Sequence, residues 1–497
     1  MNASSQHRTG TTAMALEIEA LSVFSRSQTL VQDISLQIAA GSALTLLGES
    51  GSGKSLLAQA VMGNLSPGLQ CSGALQIGAH RSQAAAQSSR HALWGREIGL
   101  LPQEPWLALD PTMRVGQQIA ETYQLVGQPA ADSQNETLRA TRVRARELTA
   151  RALRSLGLQA ASHKYPHMIS GGMAQRIAFL ATHAAGAPLM IIDEPTKGLD
   201  HERRAEVLQL LRTALVDRIG LLTITHDVWL ARALGGQVAV MLDGRIVEQG
   251  PAEQILSRPQ HAYTRRLLAA DPANWTQRIV PTLEADEDRA QDDDAVIVRM
   301  QDVAKGFGAQ PLLSDINLAI RRGEFVSITG PSGSGKTTLG NIVLGLAQPD
   351  RGRVQRRTGL ARFAMQKIYQ DPTAAFAPGI TLRCALQDLL KLHRLGRQEL
   401  QTMLERLRLR PGLLDRLPSQ VSGGELQRFA LARVLMLKPA LIFADEPTSR
   451  LDPITQQETL QLLKEHAQAN ECAVLLVTHD RRIAGHLADR ELALHLN

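Results

Sequence analysis

Two stretches of this chain combine glycines, a lysine and a hydroxyl at one spacing: GESGSGKS at 48–55 and GPSGSGKT at 330–337. Both fit G-x-x-x-x-G-K-[ST], the P-loop pattern, and both follow a short apolar run, ALTLL and FVSIT. Gly48, Gly51 and Gly53 with Ser50, and Gly330, Gly333 and Gly335 with Ser332, let main-chain N–H groups approach and wrap an anion. Lys54 or Lys336 then counters the β/γ-phosphate charge, and Ser55 or Thr337 offers an oxygen to Mg²⁺. One such match is weak evidence, but two, each behind an apolar run, point to nucleoside triphosphate chemistry carried out twice.

The remaining chemical residues recur in the same order. Asp193 and Asp445 close the apolar runs LMIID and LIFAD, where a carboxylate holds Mg²⁺ directly or through water. Glu194 and Glu446 follow and are placed to polarise an attacking water. Gln103 and Gln370, at a strand-to-loop exit, are placed to sense Mg²⁺ and the γ-phosphate. His226 and His479 each sit in a THD triplet, 33 and 34 residues after those aspartates (193 to 226, 445 to 479), within reach of the same phosphate. A second anion contact is written into ISGGMAQR at 169–176 and VSGGELQR at 421–428, where Ser170, Gly171, Gly172 and Ser422, Gly423, Gly424 open a helical pattern.

These motifs define an internal repeat, and the repeat sets the architecture. The SGG serine precedes the aspartate by 23 residues in both copies (170 to 193, 422 to 445), whereas P-loop to SGG is 122 residues in the first and 92 in the second (48 to 170, 330 to 422). The first copy therefore carries the longer insertion. Short apolar strands alternate with helical segments, the pattern of an α/β fold with a mostly parallel sheet buried on both faces. We expect a disordered tail over 1–15, with Met14 as a second candidate start. A first domain is expected over 16–271, an acidic flexible linker over 272–296 and a second domain over 297–497. The arginine-rich run 139–154 reads as a solvated amphipathic helix, with apolar Leu138, Val143, Leu148 and Leu153 between the arginines.

Bulk properties exclude several classes. No apolar run approaches the roughly 18 residues a bilayer-crossing helix needs. Cys71, Cys384 and Cys472 match no metal or redox spacing. The 54 basic and 48 acidic side chains leave only +6, a weak excess, and no nucleic-acid partner is expected.

P-loop, glutamine loop, SGG signature, strand-end Asp-Glu, LD turn and THD histidine together resemble the full set of an ABC-type ATPase domain, present twice. The resemblance implies two domains, each with a mostly parallel core sheet, an antiparallel β subdomain and a helical subdomain, using ATP and Mg²⁺. It also implies that the two domains pair head to tail, so that Ser170, Gly171 and Gly172 complete the site of Lys336, and Ser422, Gly423 and Gly424 that of Lys54. Asp200 and Asp452, in the LD turns, would lie at the same interface. Phe24 and Phe307 stand at suitable distances before the P-loops to stack on adenine, with burial in an early strand as an equal alternative.

Flanking segments resemble one branch of the family. SRPQHAYTRRLLAADP at 257–272 is similar to the HPYT-x-x-LL tail of peptide, opine and nickel importer ATPases, with Ala262 in place of proline. ALDP at 108–111 and Met173 in the first signature also resemble that branch. Both catalytic sets are intact, unlike tandem sugar importers; the linker is acidic, unlike ribosome-acting tandem factors; and fused membrane helices, the exporter pattern, are lacking. The resemblance implies a peripheral subunit on the cytoplasmic face of the inner membrane, docked on two transmembrane permease subunits and served indirectly by an extracytoplasmic substrate-binding protein. A paired ATPase of carbon-phosphorus lyase machinery is the alternative.

Overall fold

The structure is a computed structural model that describes residues 13–103, 108–126, 136–197, 199, 201–276, 293–307, 310–331, 333–449, 451–478 and 480–495. The chain divides into two compact units, one of residues 1–197 and 202–268, the other of residues 198–201 and 269–497.

In the first unit the strands are β1 (Met14–Phe24), β2 (Thr29–Ala39), β3 (Ala43–Leu47), β4 (Gln70–Ile77), β5 (His80–Gln83) and β6 (Ile98–Leu101). They continue with β7 (Leu189–Asp193), β8 (Gly220–Thr225), β9 (Gln237–Leu242) and β10 (Arg245–Pro251). They form an antiparallel sheet ordered β2-β1-β4-β5 and a six-stranded sheet ordered β10-β9-β3-β8-β7-β6. Within the larger sheet only the β9–β10 pair is antiparallel. Strands β3 and β8 are buried at every residue, because helices or the second sheet cover both faces. The helix Lys54–Met62 buries Leu57, Ala60 and Val61 in one core with Leu16 and Ile18 of β1, Leu75 of β4 and Leu44 and Leu46 of β3. The P-loop thus leads into a helix clamped between two sheets.

The second unit repeats this plan with β11 (Val296–Phe307), β12 (Gln310–Arg321), β13 (Phe325–Thr329), β14 (Arg351–Arg356), β15 (Met365–Ile368), β16 (Leu441–Asp445), β17 (Ala473–Val477) and β18 (Arg490–Ala493). Its antiparallel sheet runs β12-β11-β14, and its five-stranded core sheet, β15-β16-β17-β13-β18, is parallel throughout. On β16 the period-2 pleat divides the strand between two cores: Leu441 and Phe443 join the P-loop helix, and Ile442 and Ala444 join Phe429 of the helix that follows SGG. One strand therefore ties both phosphate-facing helices to Asp445.

The helical subdomains account for the unequal spacing. The first copy places helix Glu136–Ser155 (20 residues) where the second has Arg397–Arg406 (10 residues). In the longer helix the buried stripe is Ala145, Thr149 and Leu153, an i, i+4, i+8 row, while Val143 lies on the other side at 55% exposure. The helix is thus amphipathic, with a narrow buried side of mostly small residues. Residues 269–276 belong to the second unit: Trp275 is buried with Leu487, donates its indole N–H to Ala270 O, and packs against the ring of His486.

Candidate functional site

The loop after β3 and the loop after β13 share their backbone conformation at two glycine positions. Gly51 and Gly333 both sit at φ +86°, and a Cβ at either would meet nothing within 4 Å. This is an open cradle lined by main-chain amides, reached only by residues tolerant of positive φ. Gly53 and Gly335, also left-handed, precede the first helical residue, which is the lysine. Lys54 Nζ donates to Gly48 O at 2.8 Å and Glu49 O at 2.9 Å; Lys336 Nζ donates to Gly330 O at 2.8 Å and Pro331 O at 2.7 Å. Each lysine is almost fully buried and bridges its own loop, at the edge of the cradle.

Parallel pairing of β3 with β8 and β8 with β7 brings the strand-end carboxylates beside this loop. In the second copy Thr337 Oγ1 donates to Asp445 Oδ2 at 2.9 Å. In the first, burial and the neighbouring Glu194 charge push the Asp193 carboxyl up to about 6, opposed by Lys54, Lys197 and a hydrogen bond from Ser55. Asp445 is likewise raised, chiefly by burial, against the Thr337 hydrogen bond and Lys367. A hydroxyl and a carboxylate held this close, with the carboxylate disfavoured as a bare anion, form an oxygen donor set suited to a hard divalent cation.

Glu194 and Glu446 both adopt left-handed backbone, φ 49° and 48°. For a side-chain-bearing residue that conformation costs about 1–3 kcal/mol, and strain of this kind gathers at functional sites. Their surroundings differ. Glu194 Oε1 lies 2.8 Å from His226 Nδ1, and Glu194 Oε2 accepts from Thr225 Oγ1 at 3.1 Å. Burial works to raise this carboxyl, but the charge and hydrogen bond of His226, helped by Lys54 and Lys197, outweigh it and hold Glu194 at about 2. Glu446 Oε2 instead accepts from Gln370 Nε2 at 3.0 Å. The glutamine loop and the Asp-Glu step thus meet directly in the second copy, whereas Gln103 is exposed just beyond β6 in the first. His479, Ser332 and Asp200 lie outside the described residues, as does the side chain of Phe307; Phe24 is half-buried at the end of β1.

Each SGG serine caps its helix. Ser170 Oγ accepts from Met173 N at 3.4 Å, and Ser422 Oγ accepts from Glu425 N at 3.2 Å, while Glu425 Oε2 accepts from Ser422 N at 2.9 Å. The second signature is a full capping box, and Met173 removes the return bond from the first. Gly171 is open beyond its backbone, leaving the first-turn N–H groups accessible to an anion. Asp452 caps the helix Pro453–Ala469 through Thr455 N at 3.1 Å.

Sequence reasoning missed three residues. Thr225 holds Glu194, and its recurrence in both THD triplets was a usable signal. Lys367, 2.9 Å from Asn341 Oδ1 and 4.0 Å from Asp445 Oδ2, replaces Leu100 of the first copy in otherwise matching motifs; burial lowers its ammonium against the pull of Asp445. Tyr263, which entered the sequence reading only as part of the 257–272 tail, places its hydroxyl 2.9 Å from Glu49 N.

Two P-loops, each facing a strand-end Asp-Glu pair, define a tandem P-loop ATPase. The family described as ABC transporter matches residues 31–197 and 313–449, the stretches that hold both sets. The chain is 32% identical to the uncharacterised ABC transporter ATP-binding protein YejF of Escherichia coli strain K12, over 97% of this chain and 94% of that one. It is 31% identical to the peptidoglycan transport ATP-binding protein YejF of Agrobacterium fabrum (92% and 86%) and 32% identical to the glutathione import ATP-binding protein GsiA of Salmonella typhi (94% and 82%). The chain belongs to the ABC transporter family, as a tandem ATP-binding ATPase. Among solved structures, RNase-L Inhibitor superposes with a TM-score of 0.61 over 95% of this chain and 87% of that one; at 18% identity this bears on the fold alone. Among the described residues no helix is long and apolar enough to cross a membrane.

Proposed function

We propose that the chain energises an importer for peptide-class substrates, docked at the cytoplasmic face beneath two permease subunits and supplied by an extracytoplasmic binding protein. The observation that carries this reading is the completeness of both hydrolytic sets in a chain similar, over more than nine-tenths of its length, to proteins named for glutathione import and peptidoglycan transport.

In each copy the cradle amides and Lys54 or Lys336 hold the β- and γ-phosphates of ATP. The open space at Gly51 and Gly333 and the hydroxyl-carboxylate pairs fit Mg-ATP. Ser55, Asp193 and Gln103, or Thr337, Asp445 and Gln370, would hold Mg²⁺, which when bound neutralises charge developing between the β- and γ-phosphates. Glu194, kept ionised, orients the attacking water and takes its proton; Glu446 does so in the second copy. Ser170, Gly171 and Gly172 present N–H groups to the γ-phosphate held by Lys336, and Ser422, Gly423 and Gly424 to that held by Lys54. Closure around two nucleotides would then bias the permeases between two states.

The test is reconstitution of the full chain in liposomes with a co-expressed pair of permease subunits, measuring ATP-dependent uptake of labelled glutathione and short peptides. Uptake of either class supports the reading. Failure of every substrate, or firm membrane binding without permeases, overturns it.

A further inference from the structure

The two P-loops differ at their second residue, Glu49 in one and Pro331 in the other, and the structure gives that difference a partner. The peptide plane joining Gly48 to Glu49 is engaged on both edges. Its carbonyl, Gly48 O, accepts from Lys54 Nζ at 2.8 Å, and its amide, Glu49 N, donates to Tyr263 Oη at 2.9 Å. Tyr263 is buried at 8% exposure near the start of helix Ala262–Ala269. That helix is itself fastened: Glu248 on β10 accepts from Gln260 N at 2.7 Å and His261 N at 3.1 Å, and Leu267 is fully buried beneath it.

In the second copy the described chain ends shortly beyond β18, and the corresponding plane, Gly330 to Pro331, has no N–H to satisfy. Lys336 Nζ still grips Gly330 O, at 2.8 Å. Proline fixes its own φ and removes the donor, so the plane is held without an outside partner. The same lysine-bearing peptide is thus pinned by two devices, a phenol from the tail in one copy and a pyrrolidine ring in the other.

We propose that Tyr263 is a positioning residue for the first nucleotide site, orienting the Gly48–Glu49 peptide and through it the Lys54 ammonium that meets the nucleotide phosphates. The inference rests on the reading of Lys54 as a phosphate ligand. Tyr263→Phe keeps the ring and removes the hydroxyl, and with it the hydrogen bond from Glu49 N, a loss worth about three- to tenfold in an equilibrium. The helix Ala262–Ala269 then serves as a prop for the first site.

The experiment titrates the full chain with Mg-AMP-PNP in two backgrounds. Lys336→Ala leaves the first site to be read, and Lys54→Ala leaves the second. Tyr263→Phe is expected to weaken binding about three- to tenfold in the first background and less than twofold in the second, with a cooperative unfolding transition retained. Adding Glu49→Pro to Tyr263→Phe, which installs the second copy's device, is expected to restore first-site affinity to within about twofold of its parent, since the orphaned donor is gone. Unchanged first-site affinity in Tyr263→Phe, equal weakening of both sites, or no rescue by Glu49→Pro would overturn the proposal while leaving the ATP reading intact. A Lys336→Ala parent that takes up no nucleotide would overturn both.

Discussion

The contact between His226 and Glu194 invites a direct perturbation. The imidazole Nδ1 stands 2.8 Å from the carboxylate, and the two side chains are only 18% and 12% exposed, so solvent screens them little. A charge-assisted hydrogen bond in such a place is worth about 1.5–3 kcal/mol. His226→Ala removes it, leaving Thr225 Oγ1 as the remaining described partner of the carboxylate and its burial far less opposed. At about 1.4 kcal/mol per tenfold, single-turnover hydrolysis at the first site should fall roughly 10- to 100-fold. ATP affinity should change less than about threefold, because the cradle and Lys54 are untouched. The assay is single turnover of radiolabelled ATP in a Lys336→Ala background, with nucleotide binding measured separately. A double-mutant cycle with Glu194→Gln then separates two roles. If His226 acts by holding Glu194, the double variant is no slower than Glu194→Gln alone. Independent, additive losses would refute that reasoning and return His226 to the direct phosphate contact expected from sequence.

Other outcomes follow from the same geometry. Glu194→Gln with Glu446→Gln should lower steady-state turnover by at least about 100-fold while ATP is retained, since a carboxamide cannot accept the proton; loss of binding in a nucleotide titration would count against the assigned roles. Gly423→Asp combined with Lys54→Ala should damage one site twice and spare the other, whereas Gly423→Asp with Lys336→Ala should silence both; equal single-turnover losses would contradict the crossed arrangement. Gly340→Ala would set a Cβ 2.0 Å from the Phe443 ring, on the strand that ends at Asp445. Overpacking of that kind costs about 1–3 kcal/mol, visible as a lower urea midpoint, and an unchanged midpoint would mean that the ring has room to move.

The sequence by itself determined the repeat, the α/β class and the membership of most residues in the candidate sites. A P-loop glycine or a strand-end aspartate is demanded by local backbone geometry, so its type and spacing survive in one dimension. Apolar runs such as LMIID were legible for the same reason, being buried on both faces of a parallel sheet. Only tertiary structure decided the contacts between residues far apart in sequence. It placed the His226 imidazole on Glu194 and the Gln370 amide on Glu446, and brought Lys367 to Asp445 and the Tyr263 hydroxyl to an amide 214 residues upstream. No spacing rule encodes such pairs, because they arise where strand order β3-β8-β7 or a tail helix folds separate segments together.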